Sequence, residues 1–392
     1  MSNQAENDII SIRVSRQELS RQILLHLFNK KELTLDEMSQ EIGVEMRGMI
    51  PVVDFLETKG FVQQTGSPEA HRKTIASLRA GENGIIGLDV GGTKLYGAII
   101  DIAGNILYDR EIRNHGKTGE ACLEVLIDLI EHFSEEAGRR KLKLHGIGVG
   151  VPGSVRLGTG LVVSAPAVGM RDFPLKERLV ARFGYPVFID NDLKQLALGD
   201  TWFGAGKNYR HVVLLAIGTG IAVGTLVDGQ VLRGAHERLG ELGWMVPGRE
   251  FLGRQYVGFG ALETEASGPG IKNRARRLLS GEKDKNILAE LSADNVFDAA
   301  RKGEAWAERC VAETVEYLAV LVANIMAFYD PDVIILSGGV SQSSDLLIQP
   351  ILKLVKGCVL TQPVLVLSSL GYKAGALGAL INLVQNCPEF LS

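Results

Sequence analysis

IIGLDVGGTK, residues 85–94, begins with the apolar residues of a buried strand and then turns polar and glycine-rich. The two glycines allow a tight turn and a close approach of the backbone to a ligand. Exposed N–H groups in such a turn, beside a threonine and a lysine, suit an anion such as a phosphate. An ordinary hairpin turn between two strands would use the same residues. The candidate phosphate-binding positions are Asp89, Gly91, Gly92, Thr93 and Lys94.

Composition defines the class of protein. The chain has 392 residues, of which 46% are hydrophobic and 22% charged, as in a folded globular protein of two or three domains. The polar N-terminus carries no signal-peptide pattern, and no apolar run reaches the length of a membrane span, so we expect a cytoplasmic protein without a membrane partner. Four cysteines lie far apart without a CxxC pair and predict neither disulfides nor a metal site.

The first 80 residues have the pattern of a small helical module with a linker. Apolar residues recur at helical spacing over Gln17–Asn29, and a second helix is predicted over Leu35–Ile42, capped by Thr34 or Asp36 and ended by Gly43. A third helix from about Glu45 to Thr58 and a short strand over Phe61–Gln64 follow. This order is that of a winged helix-turn-helix, a DNA-reading module.

The charge of this module argues less clearly for DNA. It holds 10 Lys and Arg residues against 11 Asp and Glu, a net charge of −1, whereas phosphate contacts favour a positive excess. A helical module used for dimerisation is therefore the alternative. We predict a linker over Gly66–Gly84, with a small basic cluster. The side chains placed to meet DNA are Glu45, Arg47, Arg72 and Lys73.

The remainder of the chain repeats one pattern twice. A buried strand, a glycine-threonine turn and further hairpin strands occur from Ile85, and again from His211 with its turn at Gly218, Thr219 and Gly220. This duplication implies two similar lobes that share a cleft. We predict a first lobe over residues 81–190, completed by a C-terminal helix within 372–392, and a second lobe over 191–371. The main predicted helices are Glu120–Ala137, Leu262–Leu279, Ala305–Tyr329 and Tyr372–Gln385.

Three polar residues, Asp190, Asn191 and Asp192, follow another buried strand at the start of a helix. One of the first two can serve as the helix cap. Asp192 is then the candidate general base, because an aspartate beside a phosphate-binding cleft can deprotonate a sugar hydroxyl for attack on a γ-phosphate.

Other motifs offer carboxylates and glycine turns. Glu241 and Glu263 stand in glycine-flanked stretches and are candidates for holding sugar hydroxyls, although each taken alone resembles a surface residue. Gly338 and Gly339 follow the last buried strand and would face a base or ribose, or form a simple turn. Gly148–Gly153 matches GxGxxG but does not open a helix, so it is not a dinucleotide site.

Six motifs follow one another along the chain in this order: DVGGTK, DND, GTGIAVG, GELG, GALE and DPDVIILSGGVS. On these motifs the chain resembles the ROK family of sugar kinases and sugar-responsive repressors, from Gly84 to about Gln385. The module before these motifs looks like that of the repressor branch. The resemblance implies an α/β fold: an actin-like (ribonuclease H-like) two-lobed ATPase preceded by a small α+β winged helix-turn-helix. It also implies that Asp89–Lys94 and Gly218–Gly220 face ATP phosphates, that Gly338 and Gly339 face adenosine, and that the sugar contacts Asn191, Asp192, Glu241 and Glu263.

Two departures from the family pattern stand out. Trp244 replaces a histidine that often follows the GExG glutamate, and we count it among the sugar-binding residues. No cysteine occurs in Arg249–Glu263, where the family usually has a zinc site, so we expect no zinc and no other structural metal. We favour a homodimeric, sugar-responsive repressor that binds operator DNA. The alternatives are an ATP- and Mg²⁺-dependent hexose or N-acetylhexosamine kinase and, last, a non-enzymatic scaffold.

Overall fold

The computed structural model describes residues 15–66, 72–279 and 291–392. Its N-terminal part contains three helices and a three-stranded antiparallel sheet of order β1-β3-β2. The three predicted helices are confirmed. The elements are α1 (Arg16–Lys30), β1 (Glu32–Thr34), α2 (Leu35–Ile42), α3 (Met46–Thr58), β2 (Val62–Thr65) and β3 (Ile75–Leu78).

The predicted linker over Gly66–Gly84 is wrong in part, because β3 lies within it and forms the centre of this sheet. Ala76 on β3 is fully buried and pairs with both neighbouring strands. The cap of α2 is Thr34, which forms a capping box with Glu37, and Gly43 ends the helix in the left-handed conformation.

The first large sheet has the order β11-β7-β4-β5-β6. In it β4 is antiparallel to β5 and parallel to β7. Among the helices that pack on its strands are α4 and the C-terminal α12. The elements are β4 (Asn83–Val90), β5 (Lys94–Asp101), β6 (Ile106–Arg113), α4 (Glu120–Arg139), β7 (Lys143–Val151), β11 (Val187–Asn191) and α12 (Lys373–Asn386).

Glycines on the strands allow α12 to approach this sheet closely. A Cβ at Gly148 would lie 2.6 Å from the Cβ of Ala379 on α12, so only glycine fits there. The first glycine of the GxGxxG pattern at residues 148–153 thus serves helix packing, and the strand β8 (Ser154–Arg156) follows the pattern. This agrees with our rejection of a dinucleotide motif.

The second large sheet has the order β14-β13-β12-β15-β16. Helix α6 packs on β12 and β13 on one side and on α12 on the other, so it lies between the two halves of the molecule. The elements are α6 (Asp192–Phe203), β12 (His211–Ile217), β13 (Ile221–Val227), β14 (Gln230–Val231), β15 (Val333–Ser337) and β16 (Leu365–Leu367).

Helices cover the other side of this sheet, and one prediction about them was wrong. The helix expected over Leu262–Leu279 is two helices, because Ser267 adopts an extended conformation and caps the second. The small sheet β8-β9-β10 was not predicted, nor were α5 and α11. These remaining elements are β9 (Leu161–Ala165), β10 (Met170–Phe173), α5 (Leu175–Phe183), α7 (Glu263–Ala266), α8 (Gly268–Leu278), α9 (Ala293–Arg301), α10 (Ala305–Tyr329) and α11 (Ser344–Val355).

The long helix α10 has the predicted bounds. Contrary to our reading of the sequence, it is long and apolar enough to cross a membrane by length and composition. Half of its most apolar window is buried, and the helix packs on α8, α9 and α11. Those contacts are typical of a core helix in a folded domain.

Candidate functional site

A cleft of about 810 Å³ opens between the two large sheets. The chain reaches it at the end of β4, at the junction of β11 and α6, at the turn between β12 and β13, and after β15. Most of the predicted site residues meet there. Those that line the cleft are Asp89, Asn191, Asp192, Gly218, Thr219, Gly220, Glu241, Trp244, Glu263 and Gly338.

Asp192 is the first residue of α6, and Asn191 is the helix cap. The Asn191 side chain accepts a hydrogen bond from the Lys194 backbone N–H at 3.0 Å, which settles the choice that the sequence left open. One oxygen of Asp192 accepts hydrogen bonds from the Leu193 N–H at 2.8 Å and the Asn191 side chain at 3.1 Å. A second carboxylate oxygen is thus available to a ligand in the cleft.

The electrostatics of the cleft floor favour protonated carboxyl groups. Desolvation raises the pKa of Asp192 to about 8, with further contributions from the neighbouring charges of Asp89 and Glu241. Desolvation likewise raises the pKa of Asp89 to about 7. Because perturbed groups of this kind concentrate at functional sites, the pair supports the choice of this cleft as the candidate site.

Asp190, unlike Asn191 and Asp192, forms a buried ion pair. It is buried and accepts two hydrogen bonds from the Arg233 guanidinium, at 2.6 and 3.0 Å. Lys194, also buried, pairs with Glu237 at 2.9 Å. Residues 233–237 therefore hold both flanks of the Asn191–Asp192 turn.

Sequence reasoning missed this ion network. Its two halves lie about 40 residues apart in the chain, and nothing in either stretch indicates the partner. The available signal was weaker: RGAHERLGELG places several charged residues next to Glu241, a predicted cleft residue, without indicating which residues they pair with.

Glu263 organises the cleft wall. Its side chain is buried, and its two oxygens accept the backbone N–H groups of Ile221, at 2.9 Å, and Gly260, at 2.8 Å. Glu241 faces the open cleft, where desolvation and the charge of Glu263 raise its pKa. The lone pairs that these carboxylates have free can accept hydrogen bonds from ligand hydroxyl groups.

The glycine turn after β4 lies beside the cleft rather than in its lining. The Gly91 N–H donates to the Lys94 carbonyl at 2.9 Å, and the Lys94 ammonium pairs with Glu111 at 2.7 Å. The hairpin function of this turn is therefore certain, and its phosphate-binding function stays a prediction. The predicted residues outside the lining are Gly91, Gly92, Thr93, Lys94 and Gly339.

Gly338 is required by the backbone. It has a φ of 86°, and a Cβ there would lie 2.4 Å from the Ile217 carbonyl oxygen. A side chain at this position would therefore disturb the end of β12.

The predicted DNA-binding residues lie on the N-terminal module and form no part of the cleft lining. Glu45 and Arg47 are exposed and pair with each other at 2.7 Å. Arg72 and Lys73 are also exposed, and Arg72 lies 4.0 Å from Asp36. The small basic cluster predicted in the linker consists of His71, Arg72 and Lys73, of which His71 lies outside the described residues.

The family's zinc does not fit this chain. Arg249–Glu263 contains no cysteine, and thiolates are the usual ligands of structural zinc. Within residues 15–66, 72–279 and 291–392, no group of three or more His, Cys, Asp and Glu side chains is placed to hold a metal ion.

Two lobes with mixed sheets around a carboxylate-lined cleft define an α/β protein of the sugar-kinase-like class. The chain belongs to the ROK family, whose sequence model matches residues 85–386. This confirms the resemblance inferred from the motifs.

Both branches of the family are among the relatives. The chain is 34% identical to a glucokinase of Halalkalibacterium halodurans over 274 residues, which are 68% of this chain and 83% of that one. It is 27% identical to the xylose repressor of Bacillus spizizenii over 365 residues, 91% of this chain and 92% of that one.

Solved structures extend the comparison. A ROK family transcriptional regulator, a homologue of the E. coli MLC protein, has a TM-score of 0.81 at 23% identity and covers 96% of this chain and 97% of its own; this likeness concerns the fold. A ROK glucokinase from Streptomyces griseus in complex with glucose and AMPPNP has a TM-score of 0.63 at 26% identity. The match covers 76% of this chain and 97% of that one.

Proposed function

We propose that this protein is a sugar-responsive transcriptional repressor. The observation that carries the proposal is the extent of the repressor match. The part of the chain from residue 85 onward is 308 of 392 residues, or about 79%. The match to the Bacillus spizizenii xylose repressor covers 91% of the chain, so it must include part of the N-terminal module. The glucokinase match covers 68% and does not need that module. The N-terminal module, which distinguishes this chain from the glucokinase, is thus shared at least in part with the repressor.

In this proposal the N-terminal module is a winged helix-turn-helix that binds operator DNA through α3. Glu45, Arg47, Arg72 and Lys73 are the exposed residues assigned to DNA. The functional unit is a cytoplasmic homodimer, because winged-helix regulators bind paired half-sites. We keep the predicted units: the module over 1–80, one lobe over 81–190 with 372–392, and the other over 191–371.

The cleft holds the sugar. Asn191, Asp192, Glu241 and Glu263 supply hydrogen-bonding groups, and Trp244, half exposed at the cleft, supplies an apolar face. Carboxylates predominate over the cationic Lys194 and Arg238 in the lining. This abundance of hydrogen-bonding carboxyl groups favours a polyhydroxylated ligand.

A packing contact links the cleft to the module. Helix α6 begins at Asp192 in the cleft and ends at Phe203, and Phe28 of α1 packs edge-on against Phe203 and Trp202, with ring centroids 5.7 and 6.4 Å apart. A sugar that shifts the Asp192 end of α6 would therefore change the packing under α1. The sugar-bound and sugar-free states would then differ in their contacts at the module, which is what sugar control of DNA binding requires.

The test is DNA binding of the full chain with and without sugar. We expect D-xylose or D-glucose to raise the melting temperature and to weaken salt-sensitive binding to DNA from the protein's own promoter region. A protein that binds no DNA at low salt, with or without these sugars, would contradict the proposal.

A second candidate is an ATP-dependent sugar kinase, and the position of Asp192 favours it. In this reading the fold is an actin-like ATPase, and ATP with Mg²⁺ contacts Asp89–Lys94 and Gly218–Gly220, with adenosine at Gly338 and Gly339. Asp192 would accept the proton of the attacking hydroxyl. ADP release from Mg-ATP that depends on a hexose or N-acetylhexosamine and is lost in Asp192→Asn would establish it; no release above background would exclude it.

A further inference from the structure

The segment from Gly243 to Gly260 forms a closed loop at the cleft. Its ends touch, because the Leu262 N–H donates to the Gly243 carbonyl at 3.0 Å and a Cβ at Gly260 would lie 2.2 Å from that same carbonyl oxygen. Trp244 lies at the start of the loop, and Glu263 follows its end. The conformation of this loop therefore sets the position of two cleft residues.

Phe251 is the one buried side chain from Trp244 to Phe259, all of which the structure describes. It is 5% exposed, whereas its neighbour Leu252 is 67% exposed and Val257 is 92% exposed. The Arg254 guanidinium lies 5.1 Å from the centre of the Phe251 ring, and the Tyr256 hydroxyl donates to the Phe251 carbonyl at 3.4 Å. The loop is thus organised around a single buried ring near its middle.

Phe251 is connected to the helix that carries Glu263. Its ring packs edge-on against Tyr317 of α10, with centroids 6.1 Å apart. Buried Arg274 lies over the same tyrosine ring, 5.3 Å from its centre, and pairs with Glu265 of α7 at 3.0 Å. Glu263 is the first residue of α7. The loop and the Glu263 helix therefore share one anchor on α10.

We propose that Phe251 is a positioning residue for the cleft, which holds the 243–260 loop by apolar burial. It takes the place that the ROK resemblance gives to a zinc ion, whose thiolate ligands this chain lacks. Burial of an aromatic ring can fix a loop in this way because it removes a large apolar area from water. Only the consequence for sugar affinity rests on the proposed function.

The experiment compares Phe251→Ala, Phe251→Leu and the matched control Leu252→Ala in the full chain. Amide hydrogen exchange of residues 241–263 is measured without ligand, with and without EDTA, together with the dissociation constants for D-glucose and D-xylose. We expect Phe251→Ala to speed exchange in this segment about tenfold and to weaken binding of the recognised sugar about tenfold. Phe251→Leu, Leu252→Ala and EDTA should leave both within about twofold of the untreated wild type.

Exchange decides the proposal independently of the sugar. Equal exchange in Phe251→Ala and Leu252→Ala would overturn it, as would faster exchange of the wild-type loop in EDTA. Faster exchange throughout Phe251→Ala, with a fall in melting temperature that Phe251→Leu does not restore, would also overturn it, because Phe251 would then support the fold as a whole. If the wild type binds neither sugar, the proposed function fails on this point, and selective exchange at the loop still supports the positioning role.

Discussion

The cleft and the outer face of the N-terminal module use charge in opposite ways. Beside the cleft and in its wall, charged groups such as the Asp190–Arg233 pair and Glu263 are buried and held by specific partners. On the module, Glu45 and Arg47 stand in solvent and contact mainly each other. Buried, partnered charge indicates a fixed binding geometry, whereas exposed charge adapts to a partner that arrives from outside. The two regions should therefore respond very differently to substitution.

The largest effect is expected at Arg233. Arg233→Met would leave the buried Asp190 carboxylate without its partner, and we expect a loss of about 3–5 kcal/mol in the free energy of unfolding. Chemical denaturation would measure it. The control is Arg210→Met, which removes an exposed pair with Asp228 and should cost less than about 1 kcal/mol. Equal losses in both variants would remove the contrast between buried and exposed charge.

A second prediction concerns pH. The pKa of Asp192 is about 8 in the folded protein, against 3.8 for an ordinary aspartate. Between these values the folded protein keeps a proton that the unfolded chain has released, so stability falls as the pH rises through this window. We expect the melting temperature to fall between about pH 4 and about pH 8. Asp192→Asn should reduce that fall without abolishing it, because the pKa of Asp89, about 7, adds its own contribution.

The control for the pH experiment is Asp228→Asn, at an exposed position. It should keep the wild-type pH dependence. An unchanged profile in Asp192→Asn would mean that this carboxyl group is not the source of the effect.

The smallest effect on stability is expected at the module surface. Arg47→Ala should change the free energy of unfolding by less than about 0.5 kcal/mol, because its pair with Glu45 is exposed. If α3 meets DNA, the same change should weaken DNA binding and lower the slope of log affinity against log salt by about one. Arg182→Ala, at an exposed position on α5, should alter neither. An identical slope in Arg47→Ala would argue that this face serves another partner.

The sequence permitted good prediction where local chemistry is decisive. The bounds of α2 and α10 agree with the structure because apolar periodicity and capping residues fix them locally. The cleft residues were found because loops at the ends of buried strands converge there. The errors arise where distant partners decide: β3 is a strand because β1 and β2 flank it, and Arg233 matters because it pairs directly with Asp190, 43 residues earlier in the chain.

Helix α12 has a consequence for how the chain is made. It packs on β4, β5 and β7, which are synthesised more than 200 residues earlier, and Gly148 is shaped to receive it. During translation the first large sheet therefore emerges from the ribosome with this apolar surface uncovered, and it gains its cover only after more than 200 further residues have been made. Folding of that half must wait for α12, so nascent chains should depend on chaperones until this helix has emerged.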